Sequence, residues 1–155
     1  MKKMYISLLA LFAVLWIGAC GGSTKGVINA ENNKVEKNET LKAGEYYQYE
    51  IVLEDKMNAI SIEGEWRVLD GGDRKAKVFV MDEENFLKFD KGEQFKNYYS
   101  SGEKITDNFK IRLVSKYKTA KTLYYLIFDN PSEDDDKKVE FKLLMDYEWG
   151  EGTRE

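Results

Sequence analysis

Between Leu41 and Trp149 hydrophobic and polar residues alternate, and a period of two predicts strands. In residues 45–54 (EYYQYEIVLE), Tyr47, Tyr49, Ile51 and Leu53 share one face, with Gln48, Glu50 and Glu54 on the other. Residues 58–70 alternate through Ile60, Ile62, Trp66 and Val68, and Gly64 inside them predicts a bulge or bend. Asp70-Gly71-Gly72-Asp73 reads as a tight turn. In residues 75–82, Ala76, Val78 and Val80 oppose Phe79 and Met81, so this strand is expected to be covered on both faces. Two shorter strands are predicted at 85–89 and 95–99, and residues 109–114 turn Phe109, Ile111 and Leu113 inward. The run TLYYLIF at 122–128 is apolar throughout, as a central strand is. Residues 138–149 set Val139, Phe141, Leu143, Met145, Tyr147 and Trp149 against Lys138, Glu140, Lys142, Asp146 and Glu148. No stretch keeps a helical period. About eight strands, with turns roughly every eight to twelve residues, predict an all-β, antiparallel β-sandwich of jelly-roll type over residues 41–150.

The N-terminus breaks this pattern. Residues 1–4 (MKKM) are a positive head, and residues 6–17 (ISLLALFAVLWI) contain one polar side chain, Ser7. Gly18 and Ala19 are small, and Cys20 follows. Positive, apolar and small in that order is the layout of an export signal. Counted from Met4 to Gly22, the run approaches the roughly 20 residues of a membrane span, so an uncleaved helix is the alternative. Residues 17–20 (IGAC) resemble the lipobox of bacterial lipoproteins. That resemblance implies a signal peptide at 1–19, cleaved before Cys20, with a diacylglyceryl group on the Cys20 sulfur and an N-acyl chain such as palmitate. Two or more chains hold a protein firmly on a membrane. Gly21 stands where, in lipoproteins of Gram-negative hosts, an aspartate resembles an inner-membrane retention signal. The expected location is therefore the cell envelope, on the outer membrane or cell surface where the host is Gram-negative.

Residues 20–40 hold only Val27, Ile28 and Val35 as isolated apolar positions after the cysteine. Such a composition predicts a flexible tether with a span of roughly 25 Å, the alternative being a short strand at Val27-Ile28. Residues 151–155 are expected to form a disordered tail.

Composition narrows the functions. Ten tyrosines dominate an aromatic content of 14%, which suits strands. The net charge of −4, with no basic cluster, argues against nucleic acid as a partner. The chain has one cysteine and no histidine, which excludes an internal disulfide, Ser-His-Asp and Cys-His devices, and imidazole zinc sites.

The order LKAGEYYQYEI, GEWRV, KVFVMDEENFLKF, YYLIFDNPS and KKVEFKLLMDYEW resembles a GOLD-type domain, with Tyr124, Tyr125, Phe128, Asp129 and Asn130 fitting its strand ending in Phe-Asp-Asn. The resemblance implies a jelly-roll-like sandwich used for binding or adhesion. Eukaryotic members of that family carry a cysteine pair, a coiled coil and a transmembrane helix; these are not found here, so their cargo-sorting role does not transfer.

Candidate ligand-binding residues are Tyr98, Tyr99, Tyr125, Asp129 and Asn130, with Tyr46 and Tyr117 as further tyrosines whose faces suit a sugar ring or a partner chain. For each of them packing in the core is the competing reading. The acidic run 129–136 offers carboxylates for weak Ca²⁺ binding, but its spacing is not that of an EF-hand, and a solvated connection is preferred. No other cofactor, metal site or catalytic residue is predicted. The leading expectation is a non-catalytic envelope lipoprotein that binds a protein or glycan partner. A structural or accessory subunit of an envelope complex is the second, and a carboxylate-based hydrolase the last.

Overall fold

A computed structural model describes residues 22–116 and 120–150. Cys20, the signal at 1–19, Tyr117 and the tail at 151–155 lie outside the described residues. Nine strands and one helix follow in order: β1 (Ser23–Ile28), β2 (Lys34–Leu41), β3 (Tyr46–Leu53), β4 (Met57–Asp70), β5 (Lys77–Asp82), α1 (Glu83–Asp90), β6 (Tyr99–Ser100), β7 (Thr106–Arg112), β8 (Thr122–Asp129) and β9 (Lys137–Trp149). They form two sheets, β1-β3-β8-β5-β6 and β2-β9-β4-β7. Without β1, the remaining eight strands follow the jelly-roll order of the predicted sandwich. All pairings are antiparallel except β1 with β3, which is parallel.

The core lies between the sheets. The inward faces predicted for β3, β5, β7 and β9 meet there with Tyr124, Leu126 and Phe128 of β8, and Phe128 and Phe141 approach across the gap with ring centroids 4.8 Å apart. Gly64 lies in this layer because Phe109 needs the space; a Cβ at Gly64 would stand 2.4 Å from the Phe109 ring, which itself stacks on Tyr99. The bulge expected at Gly64 falls elsewhere. Pairing of β4 with β9 shifts between Asn58 and Ser61 and again between Val68 and Asp70, while Gly64 pairs in register with Leu143.

Three other expectations are corrected. Most of the segment read as a tether is two strands. Ile28, Val35 and Leu41 are buried, and backbone pairing to β3 and β9 supplies the order that its sparse apolar content does not. Residues 85–89 are not a strand but part of α1. The Asp82 carboxylate caps that helix by accepting from the Asn85 backbone N–H at 3.1 Å, and Glu83 and Glu84 occupy its first turn. Phe86 and Phe89, three residues apart, then fall on one side and pack on the outer face of the first sheet. Residues 95–98 carry no strand, and β6 is only two residues long.

The second cluster under α1 contains Tyr46, Met81, Tyr125 and Ile127, with Phe79, Phe86, Phe89 and Phe95 packed against it. This is the second cover expected for β5, and it extends over β8. The outer face of the other sheet is open and carries cross-strand ion pairs, Arg67–Glu140, Lys110–Glu63 and Lys142–Glu36.

Candidate functional site

The described candidate residues lie apart from one another in the fold. Tyr125 is buried and stacks on Phe86 at 4.2 Å, under α1. Tyr46, also buried, donates its hydroxyl to Asp90 at the end of that helix. Tyr99 stacks on Phe109 and donates to the Asp107 carboxylate at 2.7 Å; burial, aided by that carboxylate, pushes its phenol well above the ordinary range. Asp129 ends β8, and burial raises its carboxyl despite Lys77 nearby. Asn130 is fully buried, and its amide ties its own loop to the one after β2, donating to Lys42 O at 3.0 Å and Asp135 O at 2.7 Å and accepting from Ser132 N at 3.1 Å. Among the described candidates Tyr98 alone is well exposed, its ring set edge-on to Tyr124. Tyr98 sits against the inner layer and Tyr125 against the outer one, so the two do not share a surface.

The acidic run is likewise tied into the fold. Asp136 accepts from the Lys42 ammonium at 2.6 Å and from Ala43 N at 3.0 Å. The adjacent Lys137 is completely buried and bonds Asp73 at 2.5 Å. Among the described residues, no three His, Cys, Asp or Glu side chains are placed to hold a metal.

A different feature forms the candidate site. At the start of β4, Asn58 pairs with Glu148 and pairing resumes at Ser61 with Asp146, so Ala59 and Ile60 oppose only Tyr147. This is a β-bulge with one extra residue. Met57 and Ile60 are both buried although three apart, because the bulge absorbs the odd residue. Ala59 takes a φ of 50°, a left-handed conformation that costs an L-residue roughly 1–2 kcal/mol. Backbone held in such a region is commonly found beside binding sites.

The bulge forms one wall of a groove of about 660 Å³. The other wall is the end of β7 and the residues after it, with Lys110, Arg112 and Val114. The walls join where Leu113 N donates to Ile60 O at 2.9 Å. Val114 is 67% exposed, and its carbonyl is held by the Tyr124 hydroxyl at 2.9 Å. Burial, then Tyr98, pushes that phenol up to about 12. Lys116 fixes the same segment to the body of the domain, reaching Asp82 at 2.6 Å. Burial raises the Asp82 carboxyl, but the bonds from Lys116 and Asn85 together outweigh it and hold the group below its ordinary value. Lys110 is paired with Glu63, whereas Arg112 has no ion-pair partner among the described residues. Across Met57 from the groove, Trp149 stands 53% exposed, edge-on to Tyr147.

The groove thus combines a guanidinium with no ion-pair partner among the described residues, an exposed valine, a strained backbone and a nearby exposed indole on a pinned scaffold. Sequence reasoning missed it. The signal was the break in parity between Met57 and Ile60, which marks a bulge as surely as a glycine does.

No family model matches the chain, and no curated protein is matched. Solved structures do resemble it, among them two at 11% identity. One is PliG of Aeromonas hydrophila, a periplasmic lysozyme inhibitor of g-type lysozyme, with a TM-score of 0.49 over 81% of this chain and 97% of that one. The other is the pre-peptidase C-terminal domain of collagenase from Bacillus anthracis, with a TM-score of 0.41 over 81% of this chain and 95% of that one.

Proposed function

We propose that this protein is a non-catalytic binding module of the bacterial envelope, lipidated on Cys20, that captures a protein partner at the groove between the β4 bulge and the end of β7. The observation that carries this reading is that Arg112, without an ion-pair partner among the described residues, and exposed Val114 line one groove whose walls are fixed by hydrogen bonds. An extended segment bearing a carboxylate next to an apolar side chain is the chemistry that fits. Arg112 offers a forked donor to the carboxylate, and Val114 and Trp149 offer apolar contact. The export signal and the lipobox resemblance support the envelope location, and the jelly-roll order supports a scaffold that displays a site at its end.

The test is recovery of a stoichiometric partner from detergent-solubilised membranes with the full chain, compared with Arg112→Glu and Val114→Glu variants. Capture by the native chain and loss in both variants, with unchanged melting temperatures, is the expected result. Equal capture by all three, or glycan-array binding that neither variant alters, would remove the groove from the function.

A further inference from the structure

We infer that the lipidated protein stands directly on its bilayer, with the loops at 42–45 and 130–136 toward the headgroups and the groove turned away from them. The inference rests on the lipid anchor proposed for Cys20 and concerns where that anchor leaves the domain.

The sequence predicts about twenty residues of free chain after the cysteine, which would let the domain wander roughly 25 Å from the surface. That length is consumed by β1 and β2. Ser23 already pairs with Tyr47 in β3. One residue earlier, Gly22 lies so close to the Tyr46 ring that a Cβ there would stand 1.9 Å from it. Only Gly21 separates Cys20 from this seated position. Two peptide units span at most about 7 Å, less than the width of one strand pair with its side chains. The lipid chains therefore leave the domain from the corner at Gly22 and Tyr46, with no slack for free tumbling.

Strand directions fix what else lies at that end. The N-terminal end of β3 pairs with the C-terminal end of β8, Tyr46 with Asp129, and Leu41 at the end of β2 pairs with Lys137 at the start of β9. The loops before β3 and after β8 are bonded to each other there, Gly44 N to Ser132 O at 2.7 Å. The opposite end holds the loop after β1, the start of β4 with its bulge, and the end of β9 with Trp149. The run of β1 between the two ends is six residues, about 20 Å at 3.3 Å per residue. The anchor and the groove thus occupy opposite ends of the sandwich, and a partner in solution or on a facing surface can reach the groove without displacing lipid.

The test uses the full chain, made in a bacterium that processes lipoproteins and reconstituted in phosphatidylethanolamine/phosphatidylglycerol vesicles containing a nitroxide-headgroup lipid. The thioether at Cys20 does not react with thiol probes, so Glu133→Cys and Glu31→Cys each carry one fluorophore, at the near and far ends. Quenching several-fold stronger at 133 than at 31 is expected, and a twenty-residue Gly/Ser insertion between Gly22 and Ser23 should erase the difference. Equal quenching at the two positions in the chain without the insertion, or stronger quenching at 31, would overturn the orientation. The intact mass of the N-terminal peptide separates the two ideas. A diacylated Cys20 with equal quenching defeats the orientation alone, while an unmodified Cys20 defeats the anchor and the orientation with it.

Discussion

Ile127 and Leu144 each point away from the space between the sheets, Ile127 from β8 and Leu144 from β9, yet one is completely buried and the other 42% exposed. Around Ile127 the outer face of its sheet is covered by Phe86 and Phe89 of α1 and by Phe95 beyond it. Around Leu144 lie Lys142, Glu63 and Lys34, and nothing covers them among the described residues. The same fold thus hides one sheet behind a second, aromatic core and leaves the other facing water. The local sequence explains the difference. TLYYLIF offers apolar side chains to both faces and requires a cover, whereas KKVEFKLLMDYEW offers them chiefly to one. The sheet without a cover bears the groove at its end, so the open surface and the candidate site belong to the same half of the molecule.

Identical substitutions at the two outward positions break the comparison most sharply. Ile127→Asp buries an unpaired carboxylate and should cost more than about 4 kcal/mol, enough to abolish cooperative unfolding in a domain of ordinary stability. Leu144→Asp should stay within about 0.5 kcal/mol. Thermal melts by circular dichroism distinguish the two, and similar losses at both sites would refute the asymmetry. Next in size is Phe86→Ala, which removes the ring stacked on Tyr125 and should cost about 2–3 kcal/mol, less than a fully buried phenylalanine because Phe86 is half-buried.

Asp82→Ala tests the junction between cover and sheet. It deletes the cap of α1 and the partner of Lys116, and a loss of about 1–2 kcal/mol at neutral pH is expected. The Asp82 carboxyl is held below its ordinary value in the folded state. Its contribution is therefore present above the unfolded value and is lost as pH falls through the folded one. Melting temperatures of the native chain and the Asp82→Ala variant should begin to converge below about pH 4. A gap of undiminished size at about pH 2 would mean that the carboxylate is not the source. The smallest effect is expected on the open face. Lys142→Ala removes a pair with Glu36 at 3.2 Å between half-exposed side chains and should change stability by less than about 0.5 kcal/mol, with little salt dependence remaining.

Most of the sandwich was legible because a half-buried strand writes its orientation into alternate residues. β3, β5 and β9 bury the faces that their alternation marks, β8 lies in the interior of its sheet as its apolar run predicts, and the strand order follows the expected type. The departures have local causes. An eight-residue helix makes only two turns, so Phe86 and Phe89 read equally well as part of a strand, and the capping Asp82 was the clearer sign. Residues 23–41 look too polar to order themselves, and they are ordered by pairing with the edges of β3 and β9. None of the tyrosines proposed for ligand contact reveals its partner from spacing. Tyr125 and Tyr46 lie under α1, which sequence alone did not foresee, and Tyr98 is exposed because the chain bends beside it.

The sequence by itself determined the all-β class, the inward faces of β3, β5, β7 and β9, the expectation that β5 is covered on both faces, and the exclusion of histidine-based chemistry. Tertiary structure alone decided that the stretch after Cys20 is largely strand rather than tether, that the bulge sits at Ala59, and that Arg112 and Val114 share a groove with it. The physical reason is range. Alternation is a property of neighbours along the chain, while edge pairing, bulge position and the meeting of β4 with β7 are set by residues dozens of positions apart.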